Sequence, residues 1–245
     1  MKFGIIGFGR FGKLWAEILI PFGEVFVYDR NILDKKPEHN SIKFVNLFEV
    51  VKVDMLFLLV PISEIKNCCN QIRPLLDNKT LVIDACSVKF YPAKVMEENL
   101  PKDQPIIATH PLFGPDSFSK KGLDGHKIVI CPIRTTNEQQ KSFKDLLVKF
   151  NLKIIESSLE EHDQQMARSQ ALVHFVGRGL EDLKLQKQEI STPDYTAILQ
   201  MNSMVHNDTE QLFLDMQKYN PYSKIIRESF LKGLQKIEGQ IEKYE

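Results

Sequence analysis

The chain carries no surplus of charge: 32 lysines and arginines meet 32 aspartates and glutamates over 245 residues. That balance argues against a nucleic-acid binder relying on an overall positive field. Cysteine is scarce. Cys68, Cys69, Cys86 and Cys131 are the four, none spaced as CxxC, so neither a metal site nor a disulfide framework is expected. They read as small buried thiols in a reducing, cytoplasmic compartment. Long apolar runs are missing as well. The longest, Met55 to Val60, stops at Pro61, far short of the ~18 residues of a membrane span. The apolar N-terminal stretch is broken at once by glycine, unlike a signal peptide. No nucleic-acid or membrane partner is expected.

What is present is alternation. Short β-rich runs fall at Phe3–Ile6, Val25–Tyr28, Met55–Val60, Leu81–Ile83, Ile106–Thr109, Lys127–Cys131 and Lys153–Ile155. Several are apolar at nearly every position, as strands covered on both faces are. Between several of them lie helical patterns. Phe11, Leu14, Trp15, Ile18 and Leu19 form one stripe ended by Pro21, and 62–76 and 138–150 behave alike. Such repetition means an α/β fold with a mostly parallel, Rossmann-type sheet. After about residue 157 the strand signals end. Ser158-Leu159-Glu160-Glu161 reads as a capping box opening a helix through Leu185. Thr192-Pro193 starts a second helix running to about Tyr219, and Asn220-Pro221 starts a third. Two domains are expected: 1–157, a Rossmann-type sheet with its helices, and 158–245, helical. So small a helical unit leans on the first domain or on a second copy of itself.

Gly7-Phe8-Gly9-Arg10-Phe11-Gly12 follows a predicted strand and opens a predicted helix, the context a GxGxxG dinucleotide loop requires. Gly7 permits the tight turn, Gly9 lets a pyrophosphate approach the backbone, and Gly12 lets helix and strand pack closely. The helix N-terminus offers N–H groups to the phosphates. Asp29 ends the next strand at close to the usual ~20-residue spacing and would accept the adenosine ribose hydroxyls. That favours NAD, although Arg30 beside it could face the 2′-phosphate of NADP. Val60 and Pro61 end a further strand near the nicotinamide-side ribose; the proline could equally be a plain strand terminator.

Two other strand ends carry polar groups. Ser87 and Lys89 follow the run ending at Asp84, and His110 stands at the tip of Ile106–Thr109. Strand tips on this edge of an open sheet face the ligand crevice. A lone strand-end histidine is more often structural, but beside a dinucleotide site and a neighbouring serine it reads as a base. Further on, His162, Met166, Gln170 and His174 recur every four residues along one helical row. Spacing alone favours a packing seam there.

Taken together, Gly7–Gly12 with Asp29, Asp84-x-x-Ser87-Val88-Lys89, His110-Pro-Leu-Phe-Gly-Pro, and Glu161-His162-Asp163 with Gln170-Ala-Leu-Val-His174 resemble the prephenate and arogenate dehydrogenases of tyrosine biosynthesis. The resemblance spans residues 7–174 in order. It implies a homodimer formed through the C-terminal helices and oxidative decarboxylation of prephenate, or of arogenate, with NAD or NADP. It implies that His110 takes the proton of the ring 4-hydroxyl, and that Ser87 orients that hydroxyl, His110 or the nicotinamide carboxamide. It also implies that His174 reaches the substrate, with Gln170 beside it, and that His162 and Asp163 orient nearby groups. Family members often carry a carboxylate-binding arginine in the later helices, whereas 202–220 here holds none; Lys89, Arg168 and Arg178 are the candidate cations. Asp116 and His206 are further candidates for supporting roles. A 3-hydroxyacid or imine dehydrogenase is a rival reading, opposed by the His110 motif. A dinucleotide-binding sensor without catalysis is another, suggested by the missing arginine.

Overall fold

The computed structural model describes residues 1–31 and 39–245, with the backbone alone at Met204 and His206; the side chain of His206 therefore lies outside the described residues. The chain divides into two compact units, Met1–His162 and Asp163–Glu245.

The first unit is a sheet with helical crossovers. Its strands are β1 (Lys2–Ile6), β2 (Glu24–Tyr28), β3 (Ile42–Phe44), β4 (Met55–Leu58), β5 (Leu81–Asp84), β6 (Ile106–Pro111), β7 (Lys127–Arg134) and β8 (Lys153–Glu156). They lie in the order β3-β2-β1-β4-β5-β6-β7-β8. Neighbours are parallel except β6 and β7. β4, β5 and β6 are buried at every position, which is why β4 and the leading residues of β5 and β6 read as apolar runs. The order reverses direction between β1 and β4, the switch point at which ligands bind in open α/β sheets.

The helices of this unit are α1 (Arg10–Leu19), α2 (Leu47–Val50), α3 (Ile65–Ile72), α4 (Phe90–Asn99), α5 (Pro115–Lys121) and α6 (Asn137–Lys149). α1 presses Leu14, Trp15, Ile18 and Leu19 into the core. Trp15, the single tryptophan, meets Phe11, Phe57, Phe113 and Phe150 with ring centroids 5.6–6.4 Å apart. Two details differ from the pattern in the sequence. β3 has only three residues at the sheet margin, one of them exposed, too short to show a period. The run Met55–Val60 leaves the sheet at Leu58, because Pro61 introduces a 3₁₀ turn over Ile62–Glu64.

α7 (Leu159–Met166) begins as expected, with the Glu161 amide donating to Ser158 Oγ at 3.1 Å. The division between units falls at 162/163, inside this helix. The predicted single helix to Leu185 is instead α7, a π-helical turn at Ala167–Ala171 and α8 (Leu172–Gly179). An i→i+5 turn shifts the phase of a four-residue repeat, so 162, 166, 170 and 174 do not continue as one α-helical row. The second predicted helix is two, α9 (Pro193–His206) and α10 (Glu210–Tyr219), because Thr209 caps a new start by accepting from the Leu212 amide. α11 (Ser223–Ile241) begins later than expected, since Asn220 turns the chain by accepting from the Tyr222 amide at 2.9 Å.

Within the second unit α8 and α9 touch at Gly177, where a Cβ would lie 2.8 Å from a Val205 methyl. Side-chain amides tie the remainder together: Asn220 donates to the Asp163 carbonyl at 2.8 Å and Gln217 to that of Ala171 at 2.7 Å. Among the described residues no helix is long and apolar enough to cross a membrane.

Candidate active site

The glycine loop stands at the switch point. Gly7 has φ +102°, a conformation that favours glycine, and a Cβ there would lie 2.3 Å from the Leu59 carbonyl oxygen. The loops after β1 and β4 are thus in direct contact, and Val60 and Pro61 follow at once. A Cβ on Gly12 would come within 2.2 Å of the Gly7 carbonyl oxygen, so α1 approaches its strand as closely as the motif implies. Gly9 differs: a Cβ there would meet nothing within 4 Å. Its missing side chain opens space beside the start of α1, a helix whose N-cap supplies no side-chain hydrogen bond. Open space, an uncapped helix start and a nearby acid fit a dinucleotide pyrophosphate and ribose.

Asp29 is that acid. Its carboxylate accepts from the Phe8 amide at 2.7 Å and the Asn31 amide at 2.9 Å, which anchors β2 to the loop and leaves lone pairs for a ribose. Phe8 and Phe11 have packing side chains: Phe8 is buried against Phe44, and Phe11 stacks on Trp15. Their side chains are thus engaged in the core, and only their main chain is available to a ligand. The Arg10 guanidinium meets Asp116 at 2.6 Å, both half exposed; such a surface pair contributes about 0–1 kcal/mol and is easily exchanged for a phosphate. Arg30 is exposed, 3.6 Å from Glu64.

His110 lies on the sheet itself, buried near the end of β6. Its Nδ1 stands 2.9 Å from Nε2 of His162, which is buried on the first turn of α7. Burial, then the fields of His162 and Lys89, hold the His110 pKa well below the usual 6.5. The ring is neutral at physiological pH, as a base must be. Ser87 is half buried and makes no hydrogen bond among the described residues, whereas the His110 ring is hydrogen-bonded to His162.

Lys89 is a correction. As a candidate for the substrate carboxylate it should be accessible, yet it is fully buried, its ammonium bonded to the Asp84 carboxylate and the Thr109 carbonyl. Asp84, also fully buried, accepts in addition from the amides of Cys86 and Thr109. The pair fastens the tips of β5 and β6 together, within electrostatic reach of His110. The signal for it was visible: an aspartate closing a wholly apolar strand, with a lysine five residues on.

In the second unit, Gln170 lies in the π-helical turn and His174 and Arg178 on α8. His174 Nε2 is 3.5 Å from an Asp208 carboxylate oxygen. Burial lowers its pKa, partly offset by Asp208, and Arg178 lowers it further. Arg178 donates to the Asp208 carbonyl at 3.0 Å and lies over the Phe213 ring. Gln170 Oε1, His174 Nδ1 and Arg178 Nε are buried without a hydrogen-bond partner. Orphaned buried polar atoms are rare and call for an explanation. Arg168 is exposed.

A sheet reversing at β1/β4, a glycine loop with open space at Gly9 and an acid closing β2 define a dinucleotide-binding fold of the dehydrogenase class. The family model for the nucleotide-binding domain of prephenate dehydrogenase matches residues 23–156, more than half of the chain, and the chain belongs to that family. A second model, the TYRAAT1-like C-terminal domain, matches residues 179–245. The chain is 28% identical over 252 residues to arogenate dehydrogenase 1, chloroplastic, of Arabidopsis thaliana, covering 98% of this chain and 39% of that protein. It is 27% identical over 240 residues to a probable arogenate/prephenate dehydrogenase of Methanocaldococcus jannaschii, covering 92% and 53%. The chain thus spans about half or less of the length of these relatives. In fold it resembles the crystal structure of prephenate dehydrogenase from A. aeolicus in complex with hydroxyphenyl propionate and NAD+, with a TM-score of 0.79, 20% identity, and coverage of 99% of this chain and 91% of that one.

Proposed function

We propose that the chain is an NAD-dependent dehydrogenase acting on prephenate, with arogenate as the alternative substrate, in tyrosine biosynthesis. The observation that carries this reading is His110, a buried neutral imidazole on a strand tip of a family-matched dinucleotide-binding sheet. When bound, the nicotinamide supplies a hydride acceptor. The residues of the chain supply the rest. As hydride leaves C4, the 4-hydroxyl gives its proton to His110, which makes hydride loss easier. As CO₂ leaves C1 and the ring aromatises, the phenolate oxygen takes that proton back. Ser87, with its hydroxyl unengaged, is proposed to orient the substrate hydroxyl. Gln170, His174 and Arg178 are proposed to bind the substrate; their unpartnered buried atoms support a polar ligand.

Residues 7–12, Asp29, Arg30, Val60 and Pro61 are proposed to hold the dinucleotide. Asp29 favours NAD over NADP, because a carboxylate repels a 2′-phosphate. A homodimer through the C-terminal helices is part of the same reading. α11 leaves Leu234, Ile237 and Ile241 each about half exposed, an apolar stripe that a second copy would cover. Cytoplasmic residence is proposed from the four buried cysteines, none of which is in a disulfide among the described residues.

The test is a four-way assay of prephenate or arogenate with NAD+ or NADP+. NADH and CO₂ should form from one of the two substrates; no turnover in any arm would sink the proposal. The glycines give a second check. Gly12→Ala should cost roughly 1–3 kcal/mol in chemical denaturation, since its methyl has no room. Gly9→Ala should stay within about 0.5 kcal/mol of the parent yet weaken NAD+ binding measured calorimetrically. Undiminished NAD+ affinity in Gly9→Ala would move the pyrophosphate away from this loop.

A further inference from the structure

The contact between His110 and His162 carries one hydrogen, and which ring owns it decides what His110 can do. Nδ1 of one ring and Nε2 of the other are 2.9 Å apart, and the rings meet edge to face at 72° with centroids 5.1 Å apart. Both histidines are buried, at 4% and 3% exposure. One hydrogen occupies the gap, so there are two arrangements. If His162 donates, His110 carries its own hydrogen on Nε2 and presents a donor to whatever lies beyond. If His110 donates, its Nε2 is bare and can accept.

The second arrangement is the one that suits a base: His110 Nε2 has no partner among the described residues, and only with its Nδ1–H donated to His162 is that nitrogen able to accept a proton.

We infer that His162 is a positioning residue: its Nε2 accepts the Nδ1–H of His110, locks His110 in the tautomer with a bare Nε2, and stabilises the imidazolium formed when that Nε2 takes the substrate hydroxyl proton. The inference rests on the dehydrogenase reading, which asks for a bare Nε2 on His110. No proton is created or lost. The O–H bond breaks as the N–H bond forms on Nε2, and the shared hydrogen stays in the gap or moves toward His162. The role parallels that of the buried carboxylate in a hydrolase triad, where the wrong tautomer costs about 10⁴-fold in turnover. A neutral acceptor is weaker, so about 10²-fold is expected here.

The deciding experiment is nitrogen-15 NMR of the imidazoles in the intact chain. His110 should show a protonated Nδ1 and a bare Nε2, and His162 a bare Nε2. His162→Gln, whose amide oxygen can accept the same hydrogen, should keep that His110 signature and most of kcat. His162→Phe should mix the tautomers and lower kcat about 10²-fold with KM within about threefold. A wild-type spectrum with hydrogen on His110 Nε2 overturns the inference, whether or not the variants fold. So does a His162→Phe protein with wild-type tautomer and kcat. If the spectrum is as expected and the wild-type protein turns over neither substrate, it is the dehydrogenase reading that fails, while the tautomer assignment stands.

Discussion

His110→Asn is expected to lower kcat about 10²- to 10⁴-fold, the span over which a positioned general base contributes. Asparagine leaves a polar side chain on the same strand but has no site that takes a proton near neutrality. NAD+ affinity should stay within about twofold, because the glycine loop and Asp29 are untouched; wild-type kcat would remove His110 from the chemistry. The pH dependence follows from the same burial. With its pKa held well below 6.5, His110 remains a competent base in mild acid, so the acid limb of kcat falls below pH 6.5 rather than at it. Stability moves with pH in a fixed direction. Below about pH 6.5 the unfolded chain binds a proton at this histidine that the folded chain does not. The His110 contribution is therefore complete above that value and lost progressively below it, down through the lower pKa of the folded state. Circular dichroism melts across pH 5 to 8 would show the slope.

Lys89→Met carries the second large expected effect. It strands the Asp84 carboxylate at zero exposure without a counter-ion, and breaking one side of a buried pair costs about 3–5 kcal/mol. Adding Asp84→Asn should recover much of that. An asparagine oxygen can still accept from the Cys86 and Thr109 amides, while the buried charge is gone. Urea midpoints of the two single variants and the double variant complete the cycle. If Lys89→Met proves nearly as stable as the parent and instead loses affinity for the substrate, the lysine faces the ligand and not Asp84. The contrast matters for reading this motif. Next to a serine and a histidine, a lysine suggests a substrate clamp, yet here it is the bolt between two strands.

The parts of the fold legible in the sequence are those whose side chains repeat. The wholly buried strand β4 and the leading residues of β5 and β6 read as apolar runs, α1 as a stripe, and the glycine loop by its flanks. What escaped has a physical reason in each case. β3 is shorter than two periods. Thr209 begins a new helix where composition continues unchanged. The π-helical turn at Ala167–Ala171 inserts no breaker residue and merely shifts phase, so it leaves no mark in spacing. The site follows the same division. Gly7, Gly9, Gly12, Asp29 and His110 stand where local chain geometry puts them, and local patterns reveal them. His162 touches His110 across 52 residues of sequence, and Lys89 turns inward toward Asp84. Such pairings are tertiary, and spacing does not encode them.

Where β6 carries His110 has a mechanical consequence. Its pairing with β5 ends at Ala108, but Thr109, His110 and Pro111 run on, opposite Ile130, Val129 and Ile128 of the antiparallel β7. Thr109 is bonded back to Asp84 through both its amide and its hydroxyl. His110, the proposed base, is thus a fixture of the sheet, unlike a side chain on a loop. Displacing it means unzipping a ladder, an excursion whose free energy approaches that of unfolding the whole unit. Local breathing of the surrounding turns leaves His110 where it is. Any gating of this site must therefore come from elements that move around a stationary imidazole.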